Sequence, residues 1–187
     1  MRTRDLDKQQ RIKKAIVTVI LKEGINGASV AKIAQEASVS PATIYIYYSN
    51  KEEMLAEVFK EYSHKSYYYL MEQMQPEMSG KELIETIVRG FYSYTVEHEE
   101  AFSFVEQCSR CPSLAETVCE TECCCDVFDL IHKYQEMGIV KRYSDPNLSA
   151  VLFSPIRFLA MNSRSMHFNA EDQLAELVQM MQELLLN

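Results

Sequence analysis

Between Ala34 and Ile44 the apolar pattern of a helix stops and restarts within a few residues. Ser29 can cap a helix whose inward residues are Val30, Ile33, Ala34 and Ala37. The pattern breaks over Ser38 to Ser40, and Ser40 followed by Pro41 is a strong restart: a side-chain oxygen for the first free N–H groups, then a residue whose missing N–H costs nothing. Two short helices separated by a three-residue turn form a helix-turn-helix. Upstream, "DKQQRIKKAIVTVILKEG" places Ile12, Ala15, Ile16, Val19 and Ile20 on one face, predicting a helix from Asp7 to about Glu23 that Gly24 stops. Downstream, Asn50 with Glu53 makes a capping box for the next helix.

The second short helix, "PATIYIYY", is unusually aromatic. In a helix starting at Pro41, Ile44 and Tyr48 are i,i+4 neighbours expected to face inward with Val39; Thr43 and Tyr47 form the opposite pair, with Tyr45 beside them. Rings commonly plug small cores, which is the reading for Tyr48. Tyr45 and Tyr47 instead present hydroxyls that can donate to phosphates or touch base edges in a major groove. Charge points the same way. Residues 1–50 hold eight Lys/Arg and four Asp/Glu, whereas residues 51–187 hold 11 and 23, so a net +4 head precedes a net −12 body. A basic head on an acidic body suits polyanion binding at one end.

The rest of the chain is all-α by expectation. Five glycines and five prolines in 187 residues, with Leu, Glu, Met, Ala, Gln and Lys in helical periodicity, leave little room for sheets. Helices are predicted from Lys51 to about Met74, after Ser79 with its capping partner Glu82 to about His98, from Glu100 to Cys108, from Pro112–Ser113 with Glu116 to Gly138, after Asp145–Pro146, and from Asn169 to Leu186. The N-terminus lacks a secretory pattern, and "AVLFSPIRFLAM" is interrupted by Pro155 and Arg157 well short of the roughly 20 residues a membrane span needs. A cytoplasmic protein with no membrane partner follows as an expectation. Leu174, Leu177, Met181 and Leu184 form a stripe on the last helix, and Val151, Leu152, Ile156 and Leu159 do likewise on its neighbour; core packing and an interface with a second copy explain such stripes equally well.

"GINGASVAKIAQEASVSPATIYIYYSNKEEML" resembles the DNA-binding segment of the tetracycline-repressor (TetR) family of bacterial transcription regulators. The resemblance covers about Gly24 to Leu55 by motif and the remainder by length and helicity. It implies a helix-turn-helix DNA-binding domain over 1–50 and an effector-binding and dimerisation domain over 51–187. It implies DNA contacts from Ser29, Ser40, Ala42, Thr43, Tyr45, Tyr47 and Lys51, with Ser29 and Lys51 at phosphates and Ala42 toward the groove floor. It further implies a homodimer through the two striped helices, a double-stranded DNA operator, and a small-molecule effector in the body. Candidates for lining that pocket are Phe59, Tyr62, Met71, Phe91, Tyr94, Phe104 and Phe128. Three positions depart from the family pattern: Ser38 for a turn glycine, Tyr48 for a phenylalanine, and Ala28 before Ser29 where two threonines are common.

All six cysteines fall between Cys108 and Cys125, and the resemblance does not account for them. Buried small residues are the default reading. Redox or electrophile sensing needs an exposed, low-pKa thiol, and a metal site needs convergent sulfurs, for which Cys108, Cys111, Cys119 and Cys123 are weak candidates. No cofactor is expected. The four histidines are scattered singly, with no H-E-x-x-H, no G-x-S-x-G and no phosphate-binding glycine loop, which argues against an enzyme. The remaining rival is a helical adaptor that binds protein partners without DNA.

Overall fold

The computed structural model describes residues 2–75, 77–114, 122–162 and 169–187, and their regular elements are helices. In chain order these are α1 (Arg2–Gly27), α2 (Val30–Glu36), α3 (Pro41–Tyr47), α4 (Lys51–Met71), α5 (Gly80–Glu97), α6 (Glu99–Ser109), α7 (Glu122–Glu136), α8 (Asp145–Asn162) and α9 (Ala170–Leu185). No described helix is long and apolar enough to cross a membrane. The chain forms two compact units, one of Met1–Ser63 with Glu100–Thr121, the other of His64–Glu99 with Glu122–Asn187.

The first unit is organised around a cluster in which Ile12, Ile16 and Ile20 of α1 meet Ile33, Ile44, Met54, Val58 and Phe59. Phe104, Cys108 and Leu114 belong to the same cluster. This long-range contribution is invisible to local sequence patterns. Gly24 behaves differently from a simple stop. Its φ of 74° and ψ of 169°, a conformation essentially reserved for glycine, kink α1, and the Ala28 N–H then bonds the Gly24 carbonyl at 3.1 Å to close one further turn.

The turn between α2 and α3 follows the expected caps. Ser29 accepts from the Lys32 N–H, and Ser40 accepts from the Thr43 N–H with Pro41 in the first turn. Past α2, the Val39 N–H bonds the Ala34 carbonyl at 2.9 Å and the Ser38 N–H bonds the Gln35 carbonyl at 3.1 Å. These two bonds are a Schellman closure, which needs a left-handed residue at Ser38. Ser38 adopts it, with φ of 54°. The box before α4 is displaced by one residue: Asn50 Oδ1 accepts from the Glu53 N–H at 2.7 Å, but the Glu53 carboxylate accepts from the Ser49 N–H at 3.0 Å.

In the second unit α5 packs on α8 and α9, which also pack on each other. Ser79 and Glu82 form the expected capping box, with bonds of 3.3 and 2.7 Å. Hydrogen bonding to the Ser79 side chain first, and then to its backbone N–H, holds the Glu82 carboxyl below its ordinary range. A side chain at Gly80 would meet Ile139 Cγ2 at 2.5 Å, so only glycine lets the start of α5 approach that segment. The C-terminal end is pinned by an isolated antiparallel bridge between Val140 and Leu186, with the Lys141 N–H on the Leu185 carbonyl at 2.8 Å. The helix predicted from Pro112 is described over 112–114 and again as α7; Glu116 lies outside the described residues.

The stripes on α8 and α9 lie mainly inside the unit. Leu152, Ile156, Leu174, Leu177 and Met181 are buried within the chain, Val151 and Leu159 are half-buried, and Leu184 is exposed. The first five are therefore core residues rather than surface available to a second copy. A single-chain core claims the most apolar face first, and the apolar side chains left outside are Phe158, Met161, Met180 and Leu184.

Left-handed backbone at a non-glycine residue costs roughly 1–2 kcal/mol, part of which glycine would lose again through unfolded-state entropy. Ser38→Gly is expected to stabilise the fold by about 0.5–1 kcal/mol in chemical denaturation. A lower midpoint would show that the Ser38 side chain supports the turn.

Candidate nucleic-acid interface

Ile44 and Tyr48 anchor α3 in the first unit's core, at 1% and 2% exposure. With about 100° between successive helical residues, that anchoring turns Ala42, Tyr45 and Ile46 to the opposite side. All three are exposed, Tyr45 at 55% and Ile46 at 77%. Thr43 and Tyr47, expected opposite the buried pair, lie on its shoulder instead. Both are half-buried, and Tyr47 packs against the core. The sequence pattern alone gives Ile46 no role; its spacing, four residues after Ala42, is the signal that places it outside.

Hydroxyls around this face are pre-positioned. Ser40 Oγ lies 2.9 Å from Thr43 Oγ1 and accepts from the Thr43 N–H at 3.2 Å, so each fixes the other's rotamer. Ser29 is half-buried and spends one lone pair on the Lys32 N–H at 3.3 Å. The Lys51 ammonium donates to the Ile25 carbonyl at 3.1 Å, tying the start of α4 to the segment after the Gly24 kink. One donor is thereby occupied and two remain.

Much of the basic charge is committed internally. Lys13 is nearly buried and pairs with Glu61 and, at 3.9 Å, with Glu57. Lys32 pairs with Glu23 and donates to the Gly27 carbonyl at 3.0 Å; Lys22 lies 3.8 Å from Glu36. Lys8, Arg11 and Lys14 stay exposed along α1. Arg11 and Lys14 line a shallow cavity that also touches Thr18, Glu36 and Ser38.

This arrangement has the chemistry of a groove-reading helix. A short helix shows small, apolar and phenolic side chains on one face, capped by fixed hydroxyls and followed by a helix whose first residue is cationic. Residues 12–58 match the sequence profile described as bacterial regulatory proteins, tetR family. Residues 12–58 therefore form a TetR-family DNA-binding segment. An HTH-type transcriptional regulator of Haemophilus influenzae is 23% identical over 95% of each chain. A TetR-family regulator of Marinobacter aquaeolei has the same fold, with a TM-score of 0.86 over the whole of both chains at 23% identity. The FadR regulator of Bacillus subtilis, solved with stearoyl-CoA, matches with a TM-score of 0.72 at 22% identity over 93% of this chain and 97% of that one. The protein is a DNA-binding transcriptional regulator, and this family is not one of enzymes.

The other candidate residues are divided between the two units. Phe59 and Phe104 are buried in the first unit, where Tyr62 stacks edge-on against Phe104 at 5.4 Å. Phe91, Tyr94 and Phe128 are buried in the second unit and Met71 is half-buried. Phe91 contacts Phe153 at 4.8 Å, and Tyr94 contacts Tyr69 at 5.4 Å. None of these seven pocket candidates lines the α1 cavity or the second described one, an open acidic depression bordered by Glu77, Met78, Glu82 and Glu85. Of the cysteines, Cys108 is buried and Cys111 half-exposed, both as free thiols. Cys119 and the side chain of Cys123 lie outside the described residues. Among the described residues no group of three or more ligands could hold a metal ion.

Tyr48 carries an internal conflict. Its hydroxyl is buried with no hydrogen-bond partner among the described residues. Burial first, then the nearby Glu57 and Glu61, push its phenol well above the ordinary value near 10. Tyr48→Phe is expected to stabilise the fold by about 1 kcal/mol or more, since it removes a desolvated, unpaired hydroxyl and leaves the ring. The raised folded-state value also has a pH consequence. Above about pH 10 the unfolded chain ionises Tyr48 first, so stability falls there, and Tyr48→Phe should blunt that fall. Denaturation midpoints of both proteins at pH 7 and pH 11 test this; a destabilised variant at pH 7 would mean the hydroxyl has a partner.

Proposed function

We propose that this TetR-family regulator is a repressor that binds a near-palindromic operator as a homodimer and is released when a small apolar effector occupies its body. The observation that carries the reading is the outward face of α3, where Ala42, Tyr45 and Ile46 are exposed on a helix whose opposite side is locked into the core. In the proposed docking this face enters the major groove. Ala42 and Ile46 would meet thymine methyls, Thr43 and Tyr45 lie near base edges, and Ser29, Ser40, Tyr47 and Lys51 hold phosphates. Residues 1–50 serve DNA binding, and residues 51–187 serve effector binding and dimerisation. A helical adaptor without DNA binding has no use for a basic head with such a face.

A two-fold dimer places two α3 helices on one side of the duplex, so half-site centres should be separated in steps near 10 bp. The exposed Phe158, Met161, Met180 and Leu184 on α8 and α9 are the proposed apolar contacts of that dimer. For the effector, the stearoyl-CoA held by Bacillus subtilis FadR supports a long-chain acyl thioester as the first class to try. Such a ligand releases DNA only by the difference in its affinity for the two states of the protein.

Fluorescence anisotropy with fragments of the protein's own promoter region tests the reading. Saturable binding that outcompetes random DNA is expected, and stearoyl-CoA should weaken it by about 10-fold to 100-fold. Lys51→Ala should lower the salt slope by about one contact on every sequence and cost about 1 kcal/mol of stability through the lost bond to Ile25. Phe158→Glu, at an exposed position, should give a folded monomer in analytical ultracentrifugation with weaker operator binding. A monomeric wild-type protein that binds the operator tightly would remove the dimer from the account, and no preference for any genomic fragment would remove the operator.

A further inference from the structure

Cys108 and Cys111 form a C-x-x-C across the end of α6. The Cys111 N–H bonds the Cys108 carbonyl at 3.0 Å, and the Leu114 N–H bonds the Cys111 carbonyl at 3.0 Å, so the chain turns tightly here. Such a turn brings its first and fourth Cα atoms within about 7 Å, inside or close to the roughly 4.4–6.8 Å that a disulfide spans. The two sulfurs sit in opposite surroundings. Cys111 is half-exposed, with Sγ 3.3 Å from Ser113 Oγ. Cys108 is fully buried and belongs to the core that also holds Ile44 and Tyr48 of the DNA-facing helix.

We propose that Cys111 and Cys108 are a peroxide-oxidisable thiol pair, Cys111 the attacking and Cys108 the resolving sulfur, whose closure perturbs the core under α3. The hydrogen bond from Ser113, aided by the backbone N–H groups of Leu114 and Ser113, lowers the Cys111 thiol below its ordinary range and enriches its thiolate. Burial, with Cys111 beside it, pushes the Cys108 thiol up to about 12. Cys108 is therefore inert while it stays in the core.

In the first step the Cys111 thiolate attacks one oxygen of hydrogen peroxide and breaks the O–O bond; the departing hydroxide takes up a proton and becomes water, leaving Cys111 as a sulfenic acid. The Cys108 sulfur then displaces the sulfenic hydroxyl, which leaves with the Cys108 proton as a second water. Two thiols lose two electrons and one peroxide gains them. Cys108 belongs to the same packed cluster as Phe104 and Leu114, so drawing its sulfur into a bond with Cys111 couples oxidation to the packing of the first unit.

The pre-reduced full-length chain, treated with stoichiometric hydrogen peroxide and digested with trypsin, tests the chemistry. Cleavage after Arg110 separates the two cysteines, so a closed pair links the peptide ending at Arg110 to the one beginning at Cys111, and fragmentation distinguishes Cys111 from Cys119, Cys123, Cys124 and Cys125. The Cys108–Cys111 link is expected as the first product, and Cys108→Ser should accumulate a dimedone-trapped sulfenic acid on Cys111. Oxidation confined to the other four cysteines, or Cys111 reacting no faster than glutathione, would overturn the site. The effect on DNA rests on the operator reading above. Closure is expected to weaken operator binding about tenfold or more, reversibly with dithiothreitol and not in Cys111→Ser. A link that forms while operator affinity is unchanged would overturn the coupling. A reduced protein that binds no DNA would instead overturn the operator reading, and the peptide map alone would then decide the thiol chemistry.

Discussion

The burial of Ile44 and Tyr48 in one core with residues of α1 and α4 is the constraint on which the proposed DNA-facing surface depends. A seven-residue helix such as α3 has no stability of its own in water. Burying a side chain the size of Ile44 contributes about 1.5–3 kcal/mol, and the Schellman closure at Ser38 with the Ser40 cap fixes where the helix starts. Those contacts determine its rotation as well as its existence. Once Ile44 points in, Ala42, Tyr45 and Ile46 point out, and the bulky side chains remaining for a groove are set.

The same core explains why the head is not an isolated three-helix motif. Met54, Val58 and Phe59 from α4 and Phe104, Cys108 and Leu114 from the later segment complete the cluster that holds α3. A change in the packing of α6 or of the first turns of α4 therefore acts on atoms in direct contact with the core beneath α3. Both proposed routes of control would act through this core: in one an effector would bias α4, in the other oxidation would draw on Cys108. They differ in the residues they move but share the element they reach.

Local chemistry was legible in the sequence, and long-range choices were not. The caps at Ser29, Ser40, Ser79 and Asn169 could be read because a cap involves a few consecutive residues. The positive φ at Ser38 was foreseeable from the same turn logic. Gly24 was identified as a break but not as a kink followed by another turn, since that depends on the Ala28 bond. Ile46 was not placed at all, although the i,i+4 geometry of its neighbours puts it outside. The α8 and α9 stripes could not be divided between core and interface, because one chain and a second copy compete for the same apolar face. The contrast between Cys108 and Cys111 was equally out of reach, as it depends on which sulfur the first unit encloses.

The most direct test of the central claim is operator preference in the double variant Tyr45→Ala/Ile46→Ala. Both side chains are largely exposed, so the denaturation midpoint should stay close to that of the parent. The ratio of operator to random-DNA affinity should collapse toward one, with the non-specific, salt-dependent binding retained. A folded double variant that keeps the parent's preference for its operator would contradict the assignment of α3 as the reading surface.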